Sequence, residues 1–319
     1  MKSQIASQRN RFTASLLLNL ILLLALVPIA LYLGDADQTI ITEIRLPRIA
    51  TAIAAGIALA LAGALSQAIF VNPIIEPSFL GLSSGAALGA VLGVVIGVAE
   101  VGTASTIPFA ILGSLLCAFL ILQLSEGRSS LILILNGIAI TAITTALVGA
   151  LIGILDRNDI RSFSFWSFGS LALADWNAAI TIALSISVAL LLIIATREGL
   201  DLLSLGQSRA ALMGVDLPRL RIFTFAAIAI LVAGTVSTIG SIAFLGLASA
   251  HIARVIAGPR QRRLLPLASL IAANLLLLAD TFSRRAFFPQ EIPIGFVIAI
   301  IAAPILILAL RNQRVWNES

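Results

Sequence analysis

Long apolar stretches with almost no charge alternate with short polar connections along the whole chain. An α-helix rises 1.5 Å per residue, so about 20 apolar residues cross the roughly 30 Å hydrocarbon core of a bilayer. The pattern predicts ten membrane-spanning helices, at residues 12–33, 49–70, 80–99, 107–124, 131–155, 178–195, 222–239, 242–256, 265–281 and 294–310. The expected fold is all-α: one polytopic membrane domain over residues 1–319, with a cytoplasmic leader at 1–11.

The first and eighth stretches each admit a second interpretation. The first follows a basic leader, as a secretory signal does, but it is longer than the roughly 7–15 apolar residues of a cleavable signal. The eighth is short enough to be a buried helix that does not cross, which would leave nine crossings. With ten crossings, fourteen of the twenty Lys and Arg residues lie on the cytoplasmic side, whereas nine crossings leave ten on each side. The positive-inside rule therefore predicts ten crossings with both termini cytoplasmic.

The composition excludes several classes of protein. Hydrophobic residues make up 60% of the chain and charged residues 11%, against about a quarter charged in a soluble domain, so a water-soluble globule is excluded. The single cysteine, Cys117, and the single histidine, His251, exclude an internal disulfide and a His-paired metal site, and no cofactor is expected. In a membrane protein, Lys and Arg residues serve first to set the orientation of the helices. The net charge of +5 is therefore not taken as evidence of a nucleic-acid partner. No segment matches the phosphate-binding pattern G-x-x-x-x-G-K-[ST], so the chain is not expected to be an enzyme.

The longest polar connection covers residues 196–221. Gly206 and Gly214 bracket about two helical turns and Pro218 follows, which predicts a short helix along the cytoplasmic face. The segment is either an arginine-rich linker that fixes topology or a docking helix that couples the chain to a motor subunit. The predicted coupling residues are Gly206, Gln207, Ser208, Arg209, Ala210, Ala211, Leu212, Met213 and Gly214.

Five glycines recur every four residues through the third predicted span and form one stripe without side chains. Close backbone approach and van der Waals contact drive helix association in lipid, so the stripe predicts a tight helix–helix seam. A pathway lined by small residues is the alternative. The glycines are Gly81, Gly85, Gly89, Gly93 and Gly97.

Two arginine pairs face outward, against the positive-inside tendency. Arg45 and Arg48 precede the second span, and Arg284 and Arg285 follow the ninth. Arginine forms bidentate bonds with carboxylates, so the pairs predict a docking surface for acidic groups of an external protein. The alternative is placement at the membrane interface with local acidic partners. The candidate partners are Asp35, Asp37, Glu43 and Glu291.

Three further features bear on mechanism. Asn72 to Pro77 form an N-P-x-x-E-P break, which predicts a rigid cytoplasmic turn or a contact with a cytoplasmic partner. Asp280 and His251 lie near the ends of their spans, where neighbouring polar groups can satisfy them. Few ionisable residues lie inside the spans, which disfavours an ion-coupled transporter.

Several short motifs, taken together, make the sequence resemble the FecCD permeases of ABC importers for iron-siderophores, haem and cobalamin. These proteins are also called type II importer permeases. The resemblance covers nearly the whole chain. The strings are R-L-P-R at Arg45–Arg48, the N-P-x-x-E-P turn, L-G-x-S-S-G-A-A-L-G-A at Leu80–Ala90, F-W-x-x-G-S-L at Phe165–Leu171, G-P-x-x-R-R-L-L-P at Gly258–Pro266, and L-A-D at Leu278–Asp280 with E-x-P-x-G at Glu291–Gly295.

The resemblance implies a ten-helix subunit that pairs with a second permease subunit, identical or paralogous, in the membrane lipid. Two ABC ATPase subunits would lie below it and an extracytoplasmic substrate-binding protein above it. The family's coupling helix falls between Gly206 and Gly214 in this sequence, and its outer arginines fall near the two arginine pairs. The implied cargo is a metal chelate, most readily a ferric siderophore, with haem or cobalamin as alternatives.

The sequence departs from the family pattern in the coupling segment and near the eighth span. Gln207, Ser208 and Ala211 replace the acids and the arginine of the usual G-D-E-x-A-R-x-L-G, and Ala243 and Ala250 replace a glycine and a proline. Salt bridges from these positions to an ATPase are therefore not expected. An ion-coupled secondary transporter and a non-transporting scaffold stay as rival functions.

Overall fold

The computed structural model describes residues 2–34, 37–100, 103–125, 130–155, 167–287 and 290–311. Phe165 and Trp166 of the F-W-x-x-G-S-L string lie outside these ranges. Within them the chain forms eleven α-helices: α1 (Lys2–Tyr32), α2 (Leu46–Ile69), α3 (Leu82–Val95), α4 (Ile107–Leu124), α5 (Ser130–Ile152), α6 (Trp176–Leu203), α7 (Gln207–Leu212), α8 (Leu217–Ile239), α9 (Leu245–Ala257), α10 (Gln261–Arg285) and α11 (Ile294–Arg311).

The all-α prediction is confirmed, and the ten longer helices follow the ten predicted spans in order. A helical turn (Gln38–Ile40) and a π-helical turn (Ile41–Arg45) continue into α2, and 3₁₀ turns precede α3 (Pro77–Leu80) and α4 (Ala104–Thr106). Seven helices are long and apolar enough to cross a membrane, while α3, α9 and the apolar part of α11 are shorter. Helix α1 begins at Lys2, so most of the predicted leader is helical and continuous with the first span.

Three helices form the centre of the bundle. The apolar stretches of α2, α8 and α10 are 78%, 72% and 67% buried, whereas that of α1 is only 6% buried. Helix α2 packs against α6, α8, α9 and α10. Its glycines allow this crowding: a methyl group on Gly56 would lie 2.7 Å from the Cα atom of Ala273 in α10, and one on Gly63 would lie 2.5 Å from the carbonyl carbon of Gly246 in α9.

The short helix α9 is part of a complete passage through the bundle. The backbone N–H of Ser170 donates to Ile239 at the end of α8, and that of Ile294 donates to Gly169, so these segments share one end of the molecule. At the other end the N–H of Gln261 donates to the Asp201 carboxylate, 2.8 Å away, near the end of α6. The chain therefore traverses the bundle between Ile239 and Gln261, through the non-helical residues 240–244 and α9, as the ten-crossing prediction requires.

Candidate functional site

The short helix α7 lies where the sequence predicts the coupling helix, between two glycines with left-handed backbone. Gly206 has φ +105° and Gly214 has φ +87°, a region that residues with a Cβ atom rarely adopt. The side chain of Asp216 accepts from the N–H of Arg219, 3.1 Å away, and so starts α8 immediately afterwards. The chain thus turns twice within a dozen residues and presents α7 at the end of the bundle.

One side of α7 faces outward and is partly apolar. Ala210 is buried against the bundle, whereas Leu212 is 88% exposed and Met213 is 59% exposed. The exposed positions also include Ser208, Arg209 and Ala211. Leu212 and Met213 are adjacent and both exposed, and contiguous apolar surface with a polar rim is what an interaction site presents to its partner.

The two outer arginine pairs meet at the opposite end of α6 from α7. The hydroxyl of Thr51 in α2 contacts the carbonyl of Asp175, which begins α6, at 3.4 Å. Helix α6 has 28 residues, so the arginines and α7 are separated by about 40 Å along its axis. A bilayer-spanning distance therefore lies between the two predicted contact surfaces.

Arg48 is buried and holds two carboxylates from distant parts of the chain. Its Nε donates to Asp280 Oδ1 at 2.9 Å, and its two terminal nitrogens donate to the two Glu291 oxygens at 3.0 and 2.8 Å. Asp280 is fully buried and Arg48 is 4% exposed. This bidentate arrangement ties α2 to α10 and to the segment before α11.

The other three arginines bind the carboxyl end of α1, so each has a partner within the chain. Arg45 donates to the carbonyl of Leu31, Arg285 to that of Leu33, and Arg284 to that of Ala30 at 3.2 Å. The last carbonyls of a helix lack intrahelical partners and carry a partial negative charge, so cations there are stabilising.

The expected acidic partners of the outer arginines are only partly found. Glu291 binds Arg48, and the second partner is Asp280 rather than an acidic residue of the loop before α2. Asp37 instead caps the turn at Gln38, and Asp35 lies outside the described residues. Docking stays a prediction for all four arginines, and Arg285 is the one whose side chain is exposed at the surface.

The glycine stripe of α3 faces α4 along part of its length. A methyl group on Gly89 would lie 2.0 Å from the carbonyl oxygen of Phe109, and one on Gly85 would lie 2.8 Å from that of Gly113. Gly93 contacts the ring of Phe109, and Gly81 contacts α5 instead. Gly97 differs from the expectation: α3 ends at Val95, and nothing lies within 4 Å of a methyl group at Gly97.

Changing Gly89 to alanine should lower the free energy of unfolding by about 1–3 kcal/mol, because the added methyl group meets backbone that cannot move aside. The matched control is Gly149→Ala in α5, where nothing lies within 4 Å and alanine should be neutral or stabilising by up to about 1 kcal/mol. Thermal unfolding of the purified protein in detergent measures both. Equal effects of the two changes would contradict a tight α3–α4 seam.

The N-P-x-x-E-P break is not an exposed turn. Glu76 is 4% exposed, and its Oε1 accepts from the N–H of Phe244, 2.7 Å away, while its Oε2 has no hydrogen-bond partner among the described residues. Phe244 and Val71, at φ +67° and +51°, are the non-glycine residues with left-handed backbone in the described part of the chain. One of these strained residues, Phe244, thus binds a buried carboxylate, and contact of Glu76 with a cytoplasmic partner is not supported.

The buried position of Glu76 predicts a pH dependence of stability. Burial raises its pKa from the ordinary value of 4.5 to about 7, although the bond from Phe244 opposes the shift. The folded chain therefore retains a proton that the unfolded chain releases, so stability should fall as pH rises from about 5 to about 8. Glu76→Gln should reduce this slope, and Glu100→Gln, at an exposed position, should not. Unfolding midpoints across that pH range test this, and an unchanged slope in Glu76→Gln would contradict it.

Comparison with known proteins places these features in a family. The model of the FecCD transport family matches residues 12–312. The hemin transport system permease protein HmuU of Yersinia pestis is 38% identical over 210 residues, which are 64% of this chain and 63% of that protein. The iron(3+)-hydroxamate import system permease protein FhuG of Bacillus subtilis is 36% identical over 207 residues, 64% of this chain and 62% of that protein. The matches thus span less than two thirds of these relatives.

The fold resembles a solved structure described as an inward-facing conformation of a metal-chelate type ABC transporter. The TM-score is 0.84 at 31% sequence identity, and the match covers 92% of this chain and 98% of that one. The predicted type II importer permease fold is therefore confirmed.

Proposed function

Because the chain belongs to the FecCD transport family, we propose that it is the permease subunit of an ABC importer that carries a metal chelate across the inner cell membrane. The observation that supports this most directly is α7, a short, partly apolar helix held outside the bundle between two glycines. The chain has no phosphate-binding loop of its own, so ATP binding and hydrolysis belong to two separate ATPase subunits that contact α7.

The proposed orientation follows from the arginine distribution. At the α7 end, residues 197–263 carry three acidic residues, Glu198, Asp201 and Asp216, against eight arginines: Arg197, Arg209, Arg219, Arg221, Arg254, Arg260, Arg262 and Arg263. This end is proposed to face the cytoplasm, together with both termini. The Arg48 end would then face outward, where Arg285 is the best placed of the four arginines to bind an acidic group of a substrate-binding protein.

Transport would proceed by alternating access. Closure of the ATPase subunits would move α7, and the packed helices α6 and α8 on either side of it would transmit the movement to the bundle. The second permease subunit, identical or paralogous, would complete the pathway. The proposed cargo is a ferric siderophore; haem and cobalamin are the alternatives, since FhuG and HmuU are named for different iron compounds.

The function is tested by chelate uptake into vesicles that contain the permease, its ATPase and its binding protein. Uptake should require ATP, stop when the ATPase is inactivated by substitution, and continue when the proton gradient is collapsed at constant ATP. Uptake that persists unchanged with the inactive ATPase would overturn the proposal. Uptake that stops with the gradient alone would instead support an ion-coupled transporter.

A further inference from the structure

A cavity of about 390 Å³ opens between α4, α5 and α8, close to the beginning of α8 at the α7 end. Its wall is mainly apolar and includes Leu115, Ala118, Leu122 and Phe225. This volume falls within the range of about 300–1,000 Å³ that is typical of small-molecule sites. The cavity therefore has room for a substantial part of an apolar chain.

A cation lies at this apolar cavity. Arg221 contributes to the lining, together with the polar side chains of Gln123 and Ser125. Within the described ranges Arg221 makes no salt bridge, whereas Arg219, two residues earlier, binds Asp216 with 3.0 Å between Nε and Oδ2. A half-buried guanidinium beside apolar surface is stabilised by an anion that forms charge-assisted hydrogen bonds.

The surroundings of the cavity indicate where that anion comes from. Large apolar side chains next to it are exposed, with Phe119 55%, Leu124 53% and Ile222 52% accessible, and such a surface suits contact with lipid acyl chains. The same end of the molecule is rich in arginine. Basic pockets between membrane helices on the cytoplasmic side suit the head groups of anionic lipids.

We propose that the cavity between α4, α5 and α8 binds one anionic phospholipid, with its phosphate at Arg221 and an acyl chain against Leu115, Ala118 and Phe225. Because the site lies next to α7, a lipid bound there would do more than cover apolar surface. A lipid held there would support the start of α8, the helix that follows α7, and would make the α7 region sensitive to the lipid composition of the membrane.

Native mass spectrometry of the purified transporter complex tests the site directly. Phosphatidylglycerol and phosphatidylcholine with identical acyl chains are the probes. The wild-type complex should retain phosphatidylglycerol about five- to tenfold better than phosphatidylcholine, as expected for one arginine at the membrane surface with a hydrogen-bonded phosphate. Arg221→Gln should abolish the preference, and Arg221→Lys should retain most of it.

Two controls keep the test specific. Arg219→Gln removes an equal charge from the same helix but one already paired with Asp216, so the preference should persist. Ala118→Trp fills the cavity without changing charge and should reduce retention of both lipids at this site. Equal losses in Arg219→Gln and Arg221→Gln, or no head-group preference in the wild type, would overturn the proposal.

A photoreactive phosphatidylglycerol identifies the occupant. It should label the peptide that contains Leu115 and Leu122, and Arg221→Gln should reduce that labelling at least fivefold. If cross-linking from this peptide instead captures the ATPase or the second permease subunit and no lipid, a protein covers the cavity and the lipid assignment is wrong. Inorganic phosphate at millimolar concentration should not compete, and competition by it would indicate a free-anion site instead.

Discussion

Replacing Arg48 with methionine should lower the free energy of unfolding by about 3–5 kcal/mol, because it leaves a buried carboxylate without its cation. Arg48 contacts Asp280 at 2.8 Å and Glu291 at 2.8 Å, and the Asp280 side chain is fully buried. The remaining cation near Asp280 is Arg284, at 3.3 Å, in a geometry that makes no hydrogen bond. Unfolding of the purified protein in mixed micelles measures the loss.

A double variant separates the buried charge from simple loss of packing. Arg48→Met with Asp280→Leu removes both members of the buried pair, and well-packed apolar replacements of such pairs are often neutral or stabilising. Most of the lost stability should therefore return. If the double variant is at least as unstable as Arg48→Met alone, the uncompensated Asp280 carboxylate is not the cause.

Arg285→Gln is the matched control at the surface. Its side chain is exposed, so the change should alter stability by no more than about 0.5 kcal/mol. If Arg285 binds the external partner, uptake that depends on the binding protein should nevertheless fall. Loss of stability in Arg48→Met, together with loss of uptake but not of stability in Arg285→Gln, would show that Arg48 stabilises the bundle and that Arg285 contacts a partner.

The arginine pairs show what the sequence could and could not predict. The order of the spans predicted that both pairs face outward, but it gave no physical reason for that placement. The reason depends on pairs far apart in the chain: Arg48 and Asp280 are 232 residues apart, and Arg284 and Ala30 are 254 apart. No periodicity within one helix encodes such pairs, so docking and internal support could not be separated in advance.

Helices were predictable where the apolar pattern is continuous and less so where backbone geometry ends them. The third span was expected at 80–99, but α3 stops at Val95 because Gly97 adopts φ +74° and the chain turns. The eighth was expected from residue 242, yet residues up to Phe244 are non-helical and Phe244 itself has φ +67°. The bond from Phe244 to Glu76 fixes that start, and it joins segments 168 residues apart.

The short helix α7 was the most predictable part of the candidate site. Glycines at both of its ends marked the limits, and the structure has the helix at Gln207–Leu212. Which side faces outward was not predictable from six residues without a repeating pattern. The structure shows which side faces outward. Ala210 is buried, whereas Leu212 has the largest exposed fraction of any large hydrophobic residue in the described ranges.

Changing Leu212 to serine should weaken binding of the ATPase subunits about thirtyfold and reduce ATP-driven chelate uptake accordingly. Full burial of a leucine side chain in a pocket of a partner contributes about 1.5–3 kcal/mol, and 1.4 kcal/mol corresponds to a factor of ten. The stability of the folded subunit should hardly change, since Leu212 is 88% exposed. Co-purification of a tagged ATPase and uptake into vesicles measure the two effects.

The matched control is Leu173→Ser, because Leu173 is 74% exposed and lies just before α6, at the opposite end of the bundle. It removes the same side chain from the end of the bundle opposite to the proposed ATPase contact, so ATPase binding should be unchanged. Loss of ATPase binding in both variants would point to a general folding defect. Full binding and uptake in Leu212→Ser would contradict the prediction that Leu212 is a main contact, since it is the most exposed apolar side chain of α7. Equal thermal stability of the two variants, with binding lost only in Leu212→Ser, would assign ATPase binding to the exposed surface of α7.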